Sequence, residues 1–434
     1  MRRVIMFENR KFAGYSIAFM FVGLLYNFFY SGLQNDHLNI LTPFLQSNYG
    51  WDDLKITNPV TVGALVTIIL YLVIGSLFVK YGVKKILLPS IVVMALGCVG
   101  IALSAGQNYL LYSISLFIVR VLVVPLQMGG FMLAANWYIK YRGRVLGVIT
   151  AGSPLMSVVG IRMLTSMVAG YGLNAYVIIA GALGVLAALT AFAIKDTPEE
   201  VGLFPDGADH APLSESEDAG QPITLKQILT DARAWQLIIS YGILQFVIMA
   251  MMSYMAVRYI SLSTPQDVPN LFVSKAMFWL SIGAASGIPM SYVLGWIDDK
   301  LGSIKASLVL NILFLFAVIP LAIMPVGGNT TLMAIWAFGV ACMTGGLPTM
   351  HPCVTSYVYG RKNYMAANRW IMTIQAIPMA FALTFMGIFN QMGKLTTAYY
   401  ILLVMLAISF VTILTMWNIP DANAADREYG LQRN

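Results

Sequence analysis

The stretch GSLFVKYGVKK, residues 75–85, ends a long apolar segment with three lysines, and a related stretch, GWIDDKLGSIK, returns at residues 295–305. Gly75 and Gly295, Lys80 and Lys300, and Gly82 and Gly302 are each 220 positions apart. A spacing shared across half of a chain indicates an internal repeat, and the fold follows from what is repeated.

Composition says what surrounds the two stretches. Of 434 residues, 59% are hydrophobic and 10% charged. A soluble globular domain carries about 25% charged residues, so this chain cannot cover a water-facing surface of its size. Its apolar surplus calls for a bilayer. Segments of about 20 predominantly apolar residues occur at 12–34, 57–79, 86–105, 109–138, 144–168, 173–194, 234–260, 271–297, 304–324, 331–357, 364–390 and 397–418. These predict helices 1 to 12. The first is too long for a signal-peptide core and lacks a small-residue cleavage site, so it counts as helix 1. The expected fold class is an all-α membrane protein of twelve transmembrane helices in two pseudo-symmetric six-helix halves, 1–195 and 234–434. Between them, the acidic, Pro-, Gly- and Ser-rich run from Asp196 reads as a cytoplasmic linker, 196–233.

Lysine and arginine set the orientation. With the N-terminus inside, 19 of them, including Arg2, Arg3, Arg427 and Arg433, fall on the inner side. Only Lys55, Arg258, Lys275 and Lys394 fall outside. That bias predicts cytoplasmic termini in a cell (inner) membrane. The net charge of +7 is then topological; no nucleic-acid partner is expected, and the basic face suits anionic lipid. Cys98, Cys342 and Cys353 lie in spans without zinc spacing and read as small buried hydrophobes.

In the two lysine-bearing loops the chain resembles the major facilitator superfamily. The family signature there is a glycine, an aspartate four residues on, a basic residue, then glycine and further basic residues. Gly295, Asp299, Lys300, Gly302 and Lys305 match it; Gly75, Lys80, Gly82, Lys84 and Lys85 match it with Val79 in the aspartate's place. The resemblance covers essentially the whole chain and implies the major facilitator fold, with helices 1, 4, 7 and 10 lining a central cavity. IVRVLVVPLQMGG places Arg120 where the family often carries a buried arginine. DTPEEVGLFPDG and GLQNDHLN resemble the organic-anion branches, of oxalate/formate, monocarboxylate and bacterial bile-acid type. It also implies that Gly75, Lys80, Gly82, Gly295, Asp299, Lys300, Gly302 and Arg144 are gate parts. By the family pattern Asp299 faces the start of helix 5, near Gly143 and Arg144, and Val79 has no equivalent bond to helix 11.

Charges at bilayer depth are costly and usually functional. None of the 19 acidic residues falls well inside a predicted span, Asp36 coming nearest. The buried charge is cationic: Arg120 near the midplane, Arg369 in helix 11, Arg162 in helix 5, with His351 in helix 10. An unpaired arginine in low dielectric is expensive, and its fork suits a carboxylate. The bland readings are that Arg162 snorkels outward, Arg369 braces the inner gate and Arg120 bonds helix carbonyls. Tyr26, Asn27, Tyr30 and Gln34 on helix 1, Gln127 on helix 4, Tyr241 and Gln245 on helix 7, and Gln375 on helix 11 add polar groups at helical spacing. Together with Arg120, His351 and Arg369 these predict the binding site of a small or amphipathic organic anion.

With no midplane acid, coupling would be anion exchange, facilitated diffusion, or symport with the proton on the substrate or on His351. No cofactor or metal is expected, and no P-loop, nucleotide fingerprint or serine elbow suggests an enzyme. A monomer is expected. The alternatives are an exporter of the same fold and a transporter-like sensor that binds without translocating.

Overall fold

The computed structural model describes residues 9–51, 53–104, 106–209, 211, 223–262 and 269–424. Arg2, Arg3, Arg427, Arg433 and linker residues 212–222 lie outside them. Helix 1 is Arg10–Ser31, its first turn capped by the Asn9 side chain, which accepts from the N–H groups of Lys11 and Phe12. A π-turn, Gly32–Asp36, and a short helix, Leu38–Tyr49, continue it. Helices 2, 3 and 4 are Asp53–Tyr81, Val83–Ser104 and Tyr109–Trp137. Helix 5 is broken: Arg142–Thr150, Gly152–Leu155, a π-turn Met156–Gly160, then Ile161–Tyr171. Helix 6 is Ala175–Ala193.

In the second half, helices 7, 8 and 9 are Ala232–Ser261, Pro269–Leu301 and Ser303–Ile323. Helices 10 and 11 share the run Thr330–Ala380, in which Gly360 (φ 76°) turns the chain; helix 11 resumes over Ala382–Gln391. Helix 12 is Leu395–Thr415. Ten helical stretches are long and apolar enough to cross a bilayer, and two of them, of 52 and 62 residues, each hold two crossings. The described residues thus make twelve crossings and no strand. Large apolar side chains such as Leu65, Leu96, Phe192 and Val404 are exposed on the outer faces, where lipid replaces water.

The repeat is visible in the backbone. Gly82 and Gly302 have φ of 87° and 82°, a left-handed conformation that glycine adopts without strain. Each turns the chain sharply between two helices. At the same end, which carries the basic loops, helix 5 packs on helix 8 through facing glycines. A Cβ on Gly295 would overlap the Gly143 carbonyl, and one on Gly147 would lie 2.5 Å from the Ser291 carbonyl oxygen.

The linker differs from a free acidic tether over its first part. Asp196 accepts from the Lys84 N–H (2.7 Å), at the start of helix 3. Asp206 accepts from the N–H groups of Ile139, Lys140 and Tyr141 (2.8, 2.7 and 3.3 Å), just before helix 5. Unpaired N–H groups at helix starts attract carboxylates, so acidity docks this segment where composition suggested solvation. Burial pushes the Asp206 carboxyl above its ordinary range, against the pull of those three N–H groups.

Candidate functional site

Arg120 is the twelfth residue of helix 4, about 17 Å along it at 1.5 Å per residue. It is 8% exposed, and its Nε and Nη1 have no hydrogen-bond partner. No ion pair reaches it among the described residues. Around it stand phenols and amides. Tyr30 contacts Gln34, Tyr71 and Gln127, and the Tyr71 hydroxyl donates to Gln127 Oε1 at 3.3 Å. Gly63 on helix 2 lets the arginine stem lie close, since a Cβ there would sit 2.8 Å from Arg120 Cγ. The first half thus presents a guanidinium with free donors among neutral polar groups.

The second half holds a neutral cluster. Gln375 Oε1 accepts from Gln245 Nε2 (3.0 Å) and from His351 Nε2 (2.9 Å), while Gln375 Nε2 donates to the Leu237 carbonyl (3.0 Å). Because an amide oxygen only accepts, His351 carries its proton on Nε2. The Tyr241 ring meets His351 edge-on, 5.4 Å between centroids, and its hydroxyl bonds Ser307 at 2.6 Å.

Several expected site residues stand apart. Tyr26 turns to helix 6, where its hydroxyl bonds Thr190 at 2.8 Å, and the Asn27 amide returns to its own helix at Gly23. A buried phenol needs a hydrogen-bond partner, and here a neighbour in the same half supplies it. Arg369 binds helix 2 and the linker: Nη1 donates to Ser76 (2.6 Å) and Nη2 to the Ile223 carbonyl (3.0 Å). Arg162 is exposed. Helix 8 runs four residues beyond its expected end, so Asp298 and Asp299 belong to its last turn, at the basic end. Asp298 is fully buried beside the Cys353 thiol.

At the basic end Asp299 accepts from the N–H groups of Gly143 (2.8 Å) and Arg144 (3.1 Å) and ion-pairs with Arg144 Nε at 3.1 Å. Gly75 lies against the Arg369 stem, where a Cβ would be 2.5 Å from its Cβ. Lys80 and Lys300 lie over Tyr81 and Trp296, at 5.0 and 4.9 Å. Two further arginines, which sequence reasoning missed, cross between the halves. Arg142 donates from Nη1 to Ser356 Oγ (2.7 Å) and from Nη2 to the Cys353 carbonyl (3.2 Å). Arg361 donates from Nη1 to the Asn136 carbonyl (2.7 Å) and from Nη2 to Glu199 (2.9 Å). Asn136 and Ser356 are 220 positions apart, the spacing of the repeated loops. That spacing was the available signal. For Tyr71 and Gly63 the sequence offered none.

Twelve crossings in two repeated halves, clasped at one end around buried polar groups, define a membrane carrier. Residues 17–368 match the Major Facilitator Superfamily, and the chain belongs to that family. A search of curated proteins found no match. Among solved structures, the transporter FucP in its outward conformation is similar at a TM-score of 0.66 and 16% identity, over 93% of this chain and 99% of that one. FucP is described as the E. coli fucose:proton symporter. The proton:xylose symporter XylE, bound to 6-bromo-6-deoxy-D-glucose, is similar at 0.69 and 12%, over 94% and 97%. At such identities the likeness is one of fold.

Proposed function

We propose that the chain is a secondary active transporter of a small or amphipathic organic anion, working by alternating access in a cytoplasmic membrane with both termini inside. One observation carries the reading: Arg120 is buried with free donors and without a carboxylate partner. An anionic substrate reaching it completes a bidentate pair that the protein leaves open. Tyr30, Tyr71 and Gln127 flank the anion, and Gln245, Gln375 and His351 face it from the other half. Energy comes from a gradient, by proton symport or anion exchange. FucP and XylE are proton symporters, which supports a proton gradient. The proton then rides on the substrate carboxyl, on His351 or on Asp36, which Ser31 and Ser157 hold at the outer end of helix 1.

Asp299, Arg144 and Gly295 on one side, and Gly75 with Arg369 on the other, form the inner gate. Gly82 and Gly302 shape its loops, and Lys80 and Lys300 border them. A neutral, sugar-like substrate is the second reading, favoured by the amide and phenol groups of both clusters.

Binding by the purified protein separates the two. Calorimetry should favour a carboxylate over its neutral amide by about 1–3 kcal/mol, the range for hydrogen bonds to a charged group. Counterflow of labelled carboxylate into proteoliposomes should fall sharply in Arg120→Ala and Arg120→Lys, with protein level kept. Equal affinity for acid and amide, or undiminished uptake by Arg120→Ala, would refute the anion reading.

A further inference from the structure

A pocket of about 210 Å³ lies between helices 1, 5 and 6, and its wall is apolar, with Phe28, Leu33, Met156 and Leu164 among its lining. Met163 and Ile178, also in that wall, are 57% and 47% exposed. Exposed apolar residues on spanning helices face lipid, so the pocket opens toward the bilayer. Both π-turns of the first half contribute to it, through Gly32 on helix 1 and through Met156 and Gly160 on helix 5. Single π-turns in α-helices are frequent at functional sites.

One polar side chain lines the pocket, His37, which is 1% exposed. Its Nδ1 lies 2.9 Å from the Gly32 carbonyl oxygen. A carbonyl only accepts, so Nδ1 carries a hydrogen. Burial favours the neutral ring. Nε2 is therefore a bare acceptor, and it has no hydrogen-bond partner. A lone water does not fit the need, because a buried water requires two to four polar partners and this wall offers one. An acyl chain does not meet it either, since hydrocarbon has no donor.

We propose that this pocket binds a small lipophilic molecule carrying one hydroxyl group, drawn from the bilayer, whose O–H donates to His37 Nε2. An apolar cavity on the order of 150 Å³ accepts benzene, so the space here suits a ring with a short substituent. Met156, Met163 and Met167 form a pliable wall that lets the hydroxyl settle against the imidazole. The site is independent of the substrate reading above, and it needs no charge on the ligand.

The test uses the intact protein in lipid nanodiscs and two photoreactive probes. One is a phenol bearing a trifluoromethyl diazirine; the other is its methyl ether, of nearly the same shape without the donor. Labelled peptides are mapped by mass spectrometry. The phenol should label residues 156–167 and 178–182 about two- to tenfold more than the ether, the factor set by one hydrogen bond. Excess 4-propylphenol should protect them. His37→Leu should bring phenol labelling down to the level of the ether while ether labelling stays unchanged. Ala182→Phe, which fills the pocket from helix 6, should remove both. Equal labelling by phenol and ether in the unsubstituted protein overturns the proposal, as that is the behaviour of a slot for any hydrocarbon. So does a phenol preference that survives His37→Leu, or labelling that Ala182→Phe leaves in place.

Discussion

Replacing Asp299 with Asn tests the inner gate at its most concentrated point. The carboxylate takes two N–H groups at the start of helix 5 and pairs with Arg144 across the two halves. Asparagine keeps one acceptor oxygen in nearly the same volume, so packing is preserved and the loss is electrostatic. A charge at a helix N-terminus contributes about 0.3–1 kcal/mol when exposed and up to about 2 when partly buried. The Asp299 side chain is 4% exposed and shares its surroundings with Asp298, so burial raises its affinity for a proton and argues for the lower part of that range, and Arg144 at 23% adds little after solvent screening. The expected cost to the closed form is about 0.3–1 kcal/mol, a factor of about 2–5 in population. Spin labels at Tyr81 and Leu301, both exposed and in opposite halves, report the opening by electron–electron distance measurement in nanodiscs. Asp299→Asn should raise the long-distance population by that factor, and Val79→Asp, which restores the absent carboxylate opposite helix 11, should lower it. An unchanged distribution in Asp299→Asn, or opening in Val79→Asp, would refute the latch.

The facing glycines make a steric prediction at the same interface. Gly295→Val should separate helices 5 and 8 at the basic end and lengthen the Tyr81–Leu301 distance, because its Cβ would overlap the Gly143 carbonyl. Arg361→Lys keeps the charge but cannot reach both the Asn136 carbonyl and Glu199; it should open the gate less than Gly295→Val and more than a surface Lys362→Ala in the same measurement. For Asp206 the sign follows from burial, which raises its affinity for a proton in the folded state. Stability tied to such a group is present below its unfolded pKa and lost as pH rises through the higher folded value. Hydrogen exchange over 196–209, corrected for intrinsic rate, should therefore be slower in mild acid than at neutral pH, and Asp206→Asn should erase that difference.

How far the sequence carried can be judged at particular residues. Twelve spans follow from hydropathy because a bilayer admits few other solutions for backbone polar groups. The repeated loops located Gly82 and Gly302, whose positive φ only glycine adopts easily, and the family resemblance put Asp299 beside Gly143 and Arg144, where it is found. Arg120 was legible from depth alone. Its neighbours were not: Tyr71 and Gly63 become visible only once helix 2 is packed against helix 4. Tyr26 was misplaced because helical spacing tells which side chains share a face but not which neighbour that face meets. The length of helix 8 was misjudged because charged residues end a hydropathy window even where a facing helix shields them.

Arg369 shows how the chain makes up for Val79. In the matching position of the second half, an anion on helix 8 meets the positive start of helix 5. On the first-half side the roles are reversed: helix 11 supplies the cation, and helix 2 and the linker supply neutral oxygens, from Ser76 and Ile223. Trp370 Nε1 donates to the same Ile223 carbonyl at 2.8 Å, so the linker is held by two adjacent residues of helix 11. A cation bonded to neutral acceptors gains little from long-range attraction and depends on short contacts. The Asp299 side instead sets a carboxyl against two helix N–H groups and the Arg144 guanidinium. The two sides of the proposed gate are thus closed by different physics, and the side built on Arg369 draws directly on the linker at Ile223. In the proposed gate, opening requires helix 11 to release helix 2 and the linker together, which ties the segment joining the halves to the motion between them.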